Sequence, residues 1–298
     1  MFERQKTGSV VCPSCGKLVG VQEKECPFCG RVRPGMFGLT KSFRDLGFDL
    51  NFSNMILWAC GLVYLLSLMR DTSALFEGGL LRMLSPTNES ADLFGMTGVS
   101  QVLEQGRWWT LLSAGWLHGG LIHIGFNLYA LRFLGPITAK LFGQGRFLII
   151  YTVASAAGFA LSVAVGWVFL SMIQGGSCLV AILARIVGPG AIFGSLGASA
   201  GLTGLVGALL YYGRRGGNRA LGQQAKTWII SILVFGIVFS GIDNWAHLGG
   251  ILGGYLMARI LDPLKPERTD HVLIGLLCFV LSLGAVAFSV IRGLTLAP

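Results

Sequence analysis

Seven apolar stretches of near-helical span length, separated by polar connections, constrain this chain more than any other feature. They lie near residues 53–69, 113–135, 147–170, 199–213, 227–242, 245–261 and 272–291. A helix needs about 20 apolar residues to cross ~30 Å of hydrocarbon. The predicted fold class is therefore an all-α polytopic membrane protein. Composition agrees: of 298 residues, 53% are hydrophobic and 12% charged, against about a quarter charged in soluble domains. The fourth stretch is short, so it is expected to begin upstream of Ser199 or to be buried among other helices. The first 40 residues are polar and hold no apolar signal-peptide core, which predicts an uncleaved soluble head.

The connections set the orientation. Eight of the 23 Lys and Arg residues precede the first stretch. Arg132, Lys140 and Arg146, then Arg214, Arg215, Arg219 and Lys226, then Arg259, Lys265 and Arg268 fall on the same side if each stretch crosses once. Arg70, Arg82, Arg107, Arg185 and Arg292 fall on the other. The positive-inside rule puts the N-terminus in the cytoplasm and the C-terminus outside. It also explains the net charge of +9 without nucleic acid. The stretch 171–198, with Arg185 and Gly188-Pro189-Gly190, reads as an outer loop with a short interfacial helix. The expected location is the plasma (inner) membrane.

Span parity brings polar residues to one depth. The second, fourth and sixth stretches all run from outside to inside. His118, His123 and Asn127 lie on the second, Ser199 opens the fourth and His247 opens the sixth. A serine hydroxyl becomes a useful nucleophile when a base accepts its proton, and an imidazole can be that base. His123 and Asn127 stand four residues apart on one helical face. Their N–H groups, with the Ser199 backbone N–H, are candidate donors to a developing oxyanion. Bland readings stand beside these. A membrane serine often bonds its own backbone, Asn127 can bridge two helices, and His118 can sit among headgroups. Asp243 can orient His247, although a helix N-cap is the favoured reading of that residue. The pairs Gly197/Gly201 and Gly249/Gly253 predict close packing of the fourth and sixth spans. No inverted repeat or pair of broken helices points to a transporter.

Three blocks resemble the rhomboid family of intramembrane serine proteases, over about 105–262. They are Trp108-Trp109-Thr-Leu-Leu with Leu117-His118 and His123-Ile-Gly-Phe-Asn127, then Gly197-Ala-Ser199-Ala-Gly-Leu-Thr-Gly-Leu-Val-Gly207, then Asn244-Trp-Ala-His247-Leu-Gly-Gly-Ile-Leu-Gly-Gly. The resemblance implies a six-helix core with Ser199 as nucleophile and His247 as base. It implies His123 and Asn127 as oxyanion stabilisers, and a seventh helix as in some members. It further implies single-span membrane proteins as substrates, cut near the outer face, with no catalytic cofactor. Three positions depart from the pattern: Ala200 and Gly201 are in swapped order, Thr203 stands where an aromatic ring often stacks on the histidine, and Thr110 stands where an arginine often follows the tryptophans. These departures keep open an inactive rhomboid-like protein that binds membrane helices as a scaffold or quality-control factor.

Four of the seven cysteines form Cys12-Pro-Ser-Cys15 and Cys26-Pro-Phe-Cys29, each followed by glycine. Two such knuckles bring four thiolates around one tetrahedral ion. A reducing cytoplasm favours a structural zinc over disulfides, with iron a minor alternative. The expected organisation is a zinc-ribbon head and linker over 1–40, a six-span core over 41–265 and an extra span over 266–298. The head's basic flanks are expected to meet anionic lipid, and its surface to meet an unknown protein partner. Cys60, Cys178 and Cys278 read as small hydrophobes.

Overall fold

The computed structural model describes residues 7–12, 17–30, 32–35, 52–73, 83–175, 194–239 and 241–296. The head is a short antiparallel hairpin, β1 (Ser9–Val11) paired with β2 (Leu18–Gly20) in the register Val10 to Val19. Its small interior holds Val10, Val19, Val21, Cys12 and Cys26. Nine α-helices follow among the described residues: α1 (Phe52–Arg70), α2 (Asn88–Phe94), α3 (Thr110–Ser113), α4 (Leu121–Phe142), α5 (Gln144–Gln174), α6 (Ser199–Arg214), α7 (Arg219–Val238), α8 (Asn244–Leu261) and α9 (Thr269–Leu296). The chain is thus an all-α polytopic membrane protein behind a small β-hairpin.

By length and composition α1, α5, α7 and α9 are fit to cross a bilayer alone. α4, α6 and α8 carry the polar site residues and lean on their neighbours. α6 has 16 residues, about 24 Å of rise against ~30 Å of hydrocarbon. It starts at Ser199 itself, is buried along most of its length, and packs among α4, α5, α7 and α8. It is thus shorter than a helix that crosses hydrocarbon alone and is enclosed by longer neighbours.

Two span boundaries differ from the sequence expectation. The second span is 121–142, not 113–135. Residues 110–116 form a separate short helix and a 3-10 turn; Leu117 is extended and Gly120 has φ +150°, so the chain turns before α4 begins. Pro136 lies within α4 rather than ending it. The fifth span is 219–238, not 227–242, because Asn218 caps it by accepting from Leu221 N–H at 3.2 Å. Hydropathy alone misses a polar first turn fixed by a cap. The expected interfacial helix near Arg185, and Cys178, lie outside the described residues.

Glycines set the interhelical distances, though not in the expected pairs. Gly249 and Gly253 face α5, at Ala157, Gly158 and Ala154, and Gly201 faces the Tyr151 ring of α5. The α8 surface against α6 is Gly250 and Gly254, which meet the carbonyls of Ala200 and Gly204. α8 thus carries two adjacent small-residue stripes and packs tightly on α6 and α5 at once.

Arg146 is buried at the start of α5 and donates to the carbonyls of Asp262 (3.2 Å), Lys265 (2.7 Å) and Pro266. Glu267 accepts from the Gly145 and Arg146 N–H groups at 2.7 and 3.0 Å, capping α5 from another part of the chain. This knot fixes the turn between α8 and α9.

Candidate active site

The turn that delivers Ser199 is pinned from both sides. Thr97 and Ser195 exchange backbone bonds at 3.1 and 2.7 Å, and Gly197 N–H donates to Ala114 O at 2.9 Å. Gly197 has φ +132°, and a Cβ there would lie 2.7 Å from His123 Nε2. Only glycine suits a backbone in that region with a ring so close. Ala198 offers no side-chain cap, so the first N–H groups of α6 are open. The Ser199 N–H is bonded to no described residue.

His247 is buried near the start of α8, and its Nε2 lies 2.9 Å from Ser199 Oγ. The serine hydroxyl thus faces the imidazole of a neighbouring helix. Its Nδ1 is buried and has no hydrogen-bond partner among the described residues. Asp243 does not supply one. Its Oδ1 accepts from the Trp245 and Ala246 N–H groups at 3.1 and 3.0 Å, and its Oδ2 accepts from the Ser162 hydroxyl. The carboxylate is a helix cap, and it leaves the His247 ring, which faces Ser199, without a carboxylate partner among the described residues. Thr203 takes up another part of the support. Its hydroxyl lies 2.9 Å from Ala200 O and 3.2 Å from His247 O, tying the α6 and α8 backbones where they cross.

His123 Nδ1 accepts from Gly119 N–H at 3.1 Å. A ring that accepts at Nδ1 carries its proton on Nε2, the nitrogen facing Gly197 and the serine turn. Asn127 behaves differently from the expectation. Its Nδ2 donates to His123 O at 2.8 Å, so one amide hydrogen serves the backbone of α4 and the other stays available. His118 is enclosed by protein. It is buried at 1% exposure, edge-on to the His123 ring at 5.2 Å, and neither ring nitrogen has a partner among the described residues.

Sequence reasoning missed the frame that holds this turn. Arg107 donates to Asp92 Oδ2 at 2.7 Å and to Asp92 O at 2.6 Å, and Ser113 donates to Gly95 O at 2.7 Å. Trp109 packs edge-on against Phe288 of α9 at 4.8 Å, with Arg292 over its face at 4.8 Å. Its indole N–H points to Ser289 Oγ at 3.4 Å. The seventh span therefore braces residues 95–114, and these hold the Ser199 turn. The paired tryptophans were the available signal.

In the head, the sulfurs of Cys12, Cys26 and Cys29 lie within 4.8 Å of one another, with Cys12 to Cys29 at 3.8 Å. Ligand sulfurs about 2.3 Å from a tetrahedral zinc stand roughly 3.8 Å apart, so the donor set fits such an ion. Cys15, the fourth expected ligand, lies outside the described residues.

A half-buried serine facing a buried histidine, at the start of a short helix inside a helical bundle, defines a class of protein that other chains share. The rhomboid domain model matches residues 105–263, more than half of the sequence, and the chain belongs to the rhomboid family. It is 32% identical over 204 residues to "Rhomboid protease GluP" of Bacillus subtilis, covering 67% of this chain and 35% of that one. It is 28% identical to "RHOMBOID-like protein 4" of Arabidopsis thaliana, covering 60% of this chain and 40% of the other. It is 26% identical to "Putative rhomboid protease YdcA" of Bacillus subtilis, covering 58% and 77%. The chain spans little more than a third of the length of the first two relatives.

Proposed function

We propose that this protein is an intramembrane serine endopeptidase that cuts membrane proteins in or next to their transmembrane segments. The observation that carries this reading is the 2.9 Å contact between Ser199 Oγ and His247 Nε2 at the recessed start of a short helix. Ser199 Oγ attacks the scissile carbonyl while His247 Nε2 takes its proton. The tetrahedral oxyanion is met by His123 Nε2–H, the Ser199 N–H and the remaining Asn127 amide hydrogen. The intermediate collapses as Nε2 protonates the leaving amine, which gives an acyl-enzyme. Water then attacks, gives its proton to Nε2, and frees Ser199. Every step uses side chains of this protein, and no cofactor takes part.

The head is read as a structural zinc site formed by Cys12, Cys15, Cys26 and Cys29. Its interior is too small to fold alone, so the ion would supply the folding energy. The charge asymmetry of the connections supports a cytoplasmic N-terminus and an outer C-terminus, and the membrane proposed is the plasma membrane. Site opening toward the outer face fits single-span proteins as substrates.

A rhomboid-like binder that does not cut is favoured by one observation, a His247 Nδ1 without a partner among the described residues. Reconstitution separates the two. The purified full chain, mixed in proteoliposomes with a single-span protein that a rhomboid protease cuts, should release a fragment. Ser199→Ala and His247→Ala should each abolish the release. Binding of the span without a fragment, in wild type and variants alike, would establish the non-cutting reading.

A further inference from the structure

Three of the five arginines on the Ser199 side of the membrane converge on one cavity. Arg70 ends α1, Arg107 precedes α3, and Arg292 lies in the last turns of α9; all three line a space of about 730 Å³. Arginine on this side runs against the charge bias of the other connections, so three in one place call for an occupant. Its walls also carry Asp71, Glu89 and Asp92.

These charges are not all spent on one another. Arg107 and Asp92 form a close pair, 2.7 Å apart. Arg70 and Glu89 make no hydrogen bond or ion pair with any described residue. Arg292 rests on the Trp109 ring and keeps its guanidinium N–H groups free of protein acceptors among the described residues. The Asp71 carboxyl accepts from Ser73 N–H at 3.0 Å and is held below the usual carboxylate range first by that bond, with the Ser73 and Thr87 side chains and the Arg70 charge adding to it, so Glu89 is the carboxylate left open. The cavity thus offers unspent cations and anions together, and a site of this size takes a compact polar group.

Its depth is that of lipid headgroups. It lies where α1 and α9 both end, and Trp108, next in sequence to the lining Arg107, is 66% exposed, as tryptophans at a membrane interface are. Leu93 and Leu294 complete its apolar rim. We propose that this cavity holds the headgroup of a phospholipid carrying both a phosphate and a primary ammonium. The phosphate sits on Arg70 and Arg292, and the ammonium donates to Glu89, with the Asp71 charge beside it. A quaternary ammonium has no N–H to donate, and a headgroup without an amine leaves the carboxylates unmet. The cavity floor, Arg107 and Ser289, is continuous with the segment that pins the serine turn.

The test is native mass spectrometry of the detergent-solubilised full chain with dioleoyl phosphatidylethanolamine, phosphatidylcholine or phosphatidylglycerol. Phosphatidylethanolamine should be retained about tenfold more tightly than the other two, the worth of one or two charge-assisted bonds. Arg292→Gln should remove that retention, Arg292→Lys should keep part of it, and Glu89→Gln should erase the preference over phosphatidylcholine. An unchanged thermal midpoint shows that each variant is folded. Equal retention of the three lipids, or retention indifferent to Arg292→Gln and Glu89→Gln in folded protein, overturns the proposal. Displacement of the lipid by an equal concentration of glycerophosphoethanolamine would also overturn it, because the site would then take a soluble ligand.

Discussion

The Asp243 carbonyl accepts the backbone N–H of His247 at 3.1 Å, while the Asp243 carboxylate turns away to cap α8 and meet Ser162. This relationship separates two roles that sequence spacing leaves superimposed. A carboxylate that orients a catalytic imidazole loses about 10⁴ in kcat on Asp-to-Asn exchange. A cap does not, since an amide oxygen still accepts from the first turn. Asp243→Asn should therefore leave kcat within about threefold of wild type, and Asp243→Ala should cost about 1–2 kcal/mol of stability. Cleavage kinetics beside thermal unfolding checks both; a kcat loss near 10⁴ for Asp243→Asn would restore the triad.

Gly197→Ala tests the serine turn. The substitution places a methyl on a backbone at φ +132° and against His123 Nε2. The strain is about 1–3 kcal/mol, and relief moves either the serine or the ring. We expect kcat to fall by about two orders of magnitude, since small misplacements of reacting groups cost that much. Single-turnover cleavage by folded variant protein measures it.

The two oxyanion candidates should not be equal. His123 aims its Nε2–H at the turn, whereas Asn127 has spent one amide hydrogen on His123 O. His123→Ala should lower kcat by about 10²–10³, and Asn127→Ala by no more than about tenfold. Little change in KM for either would mark a transition-state effect rather than lost binding.

Arg146 and Glu267 tie α5 to the α8–α9 turn in a buried setting. The guanidinium meets three carbonyls there, and a buried acceptor left unmet costs about 1–3 kcal/mol. Arg146→Ala should lower the unfolding midpoint more than Glu267→Gln, which keeps an acceptor for the α5 N–H groups.

Metal removal should act on the head alone. Zinc analysis should give one ion per chain, and Cys26→Ser should reduce it sharply. Thiolate ligands must be deprotonated, so acid should release the ion and chelators should unfold β1 and β2. Cleavage by the core should persist after chelation.

Much of this was legible in the sequence, for a physical reason. Hydrocarbon demands long apolar helices, so seven spans and their parity can be read from composition and charge. That parity already put Ser199 and His247 at one depth. What escaped the sequence depends on competition among local hydrogen bonds. Asn127 bonds back to its own helix, Asp243 caps, and Gly119-Gly120 delays the start of α4 past 113. Long-range docking escaped for a different reason: no local pattern announces that Trp109 meets Ser289 of the last span, or that Arg146 closes a turn more than a hundred residues away.

The central claim is that Ser199 is a nucleophile activated by His247. The most direct measurement is peptide mapping of the purified full chain after exposure to a fluorophosphonate. The account predicts a single adduct on Ser199, absent in Ser199→Ala and strongly reduced in His247→Ala. An unlabelled Ser199 in folded wild-type protein, or labelling indifferent to His247→Ala, would contradict it.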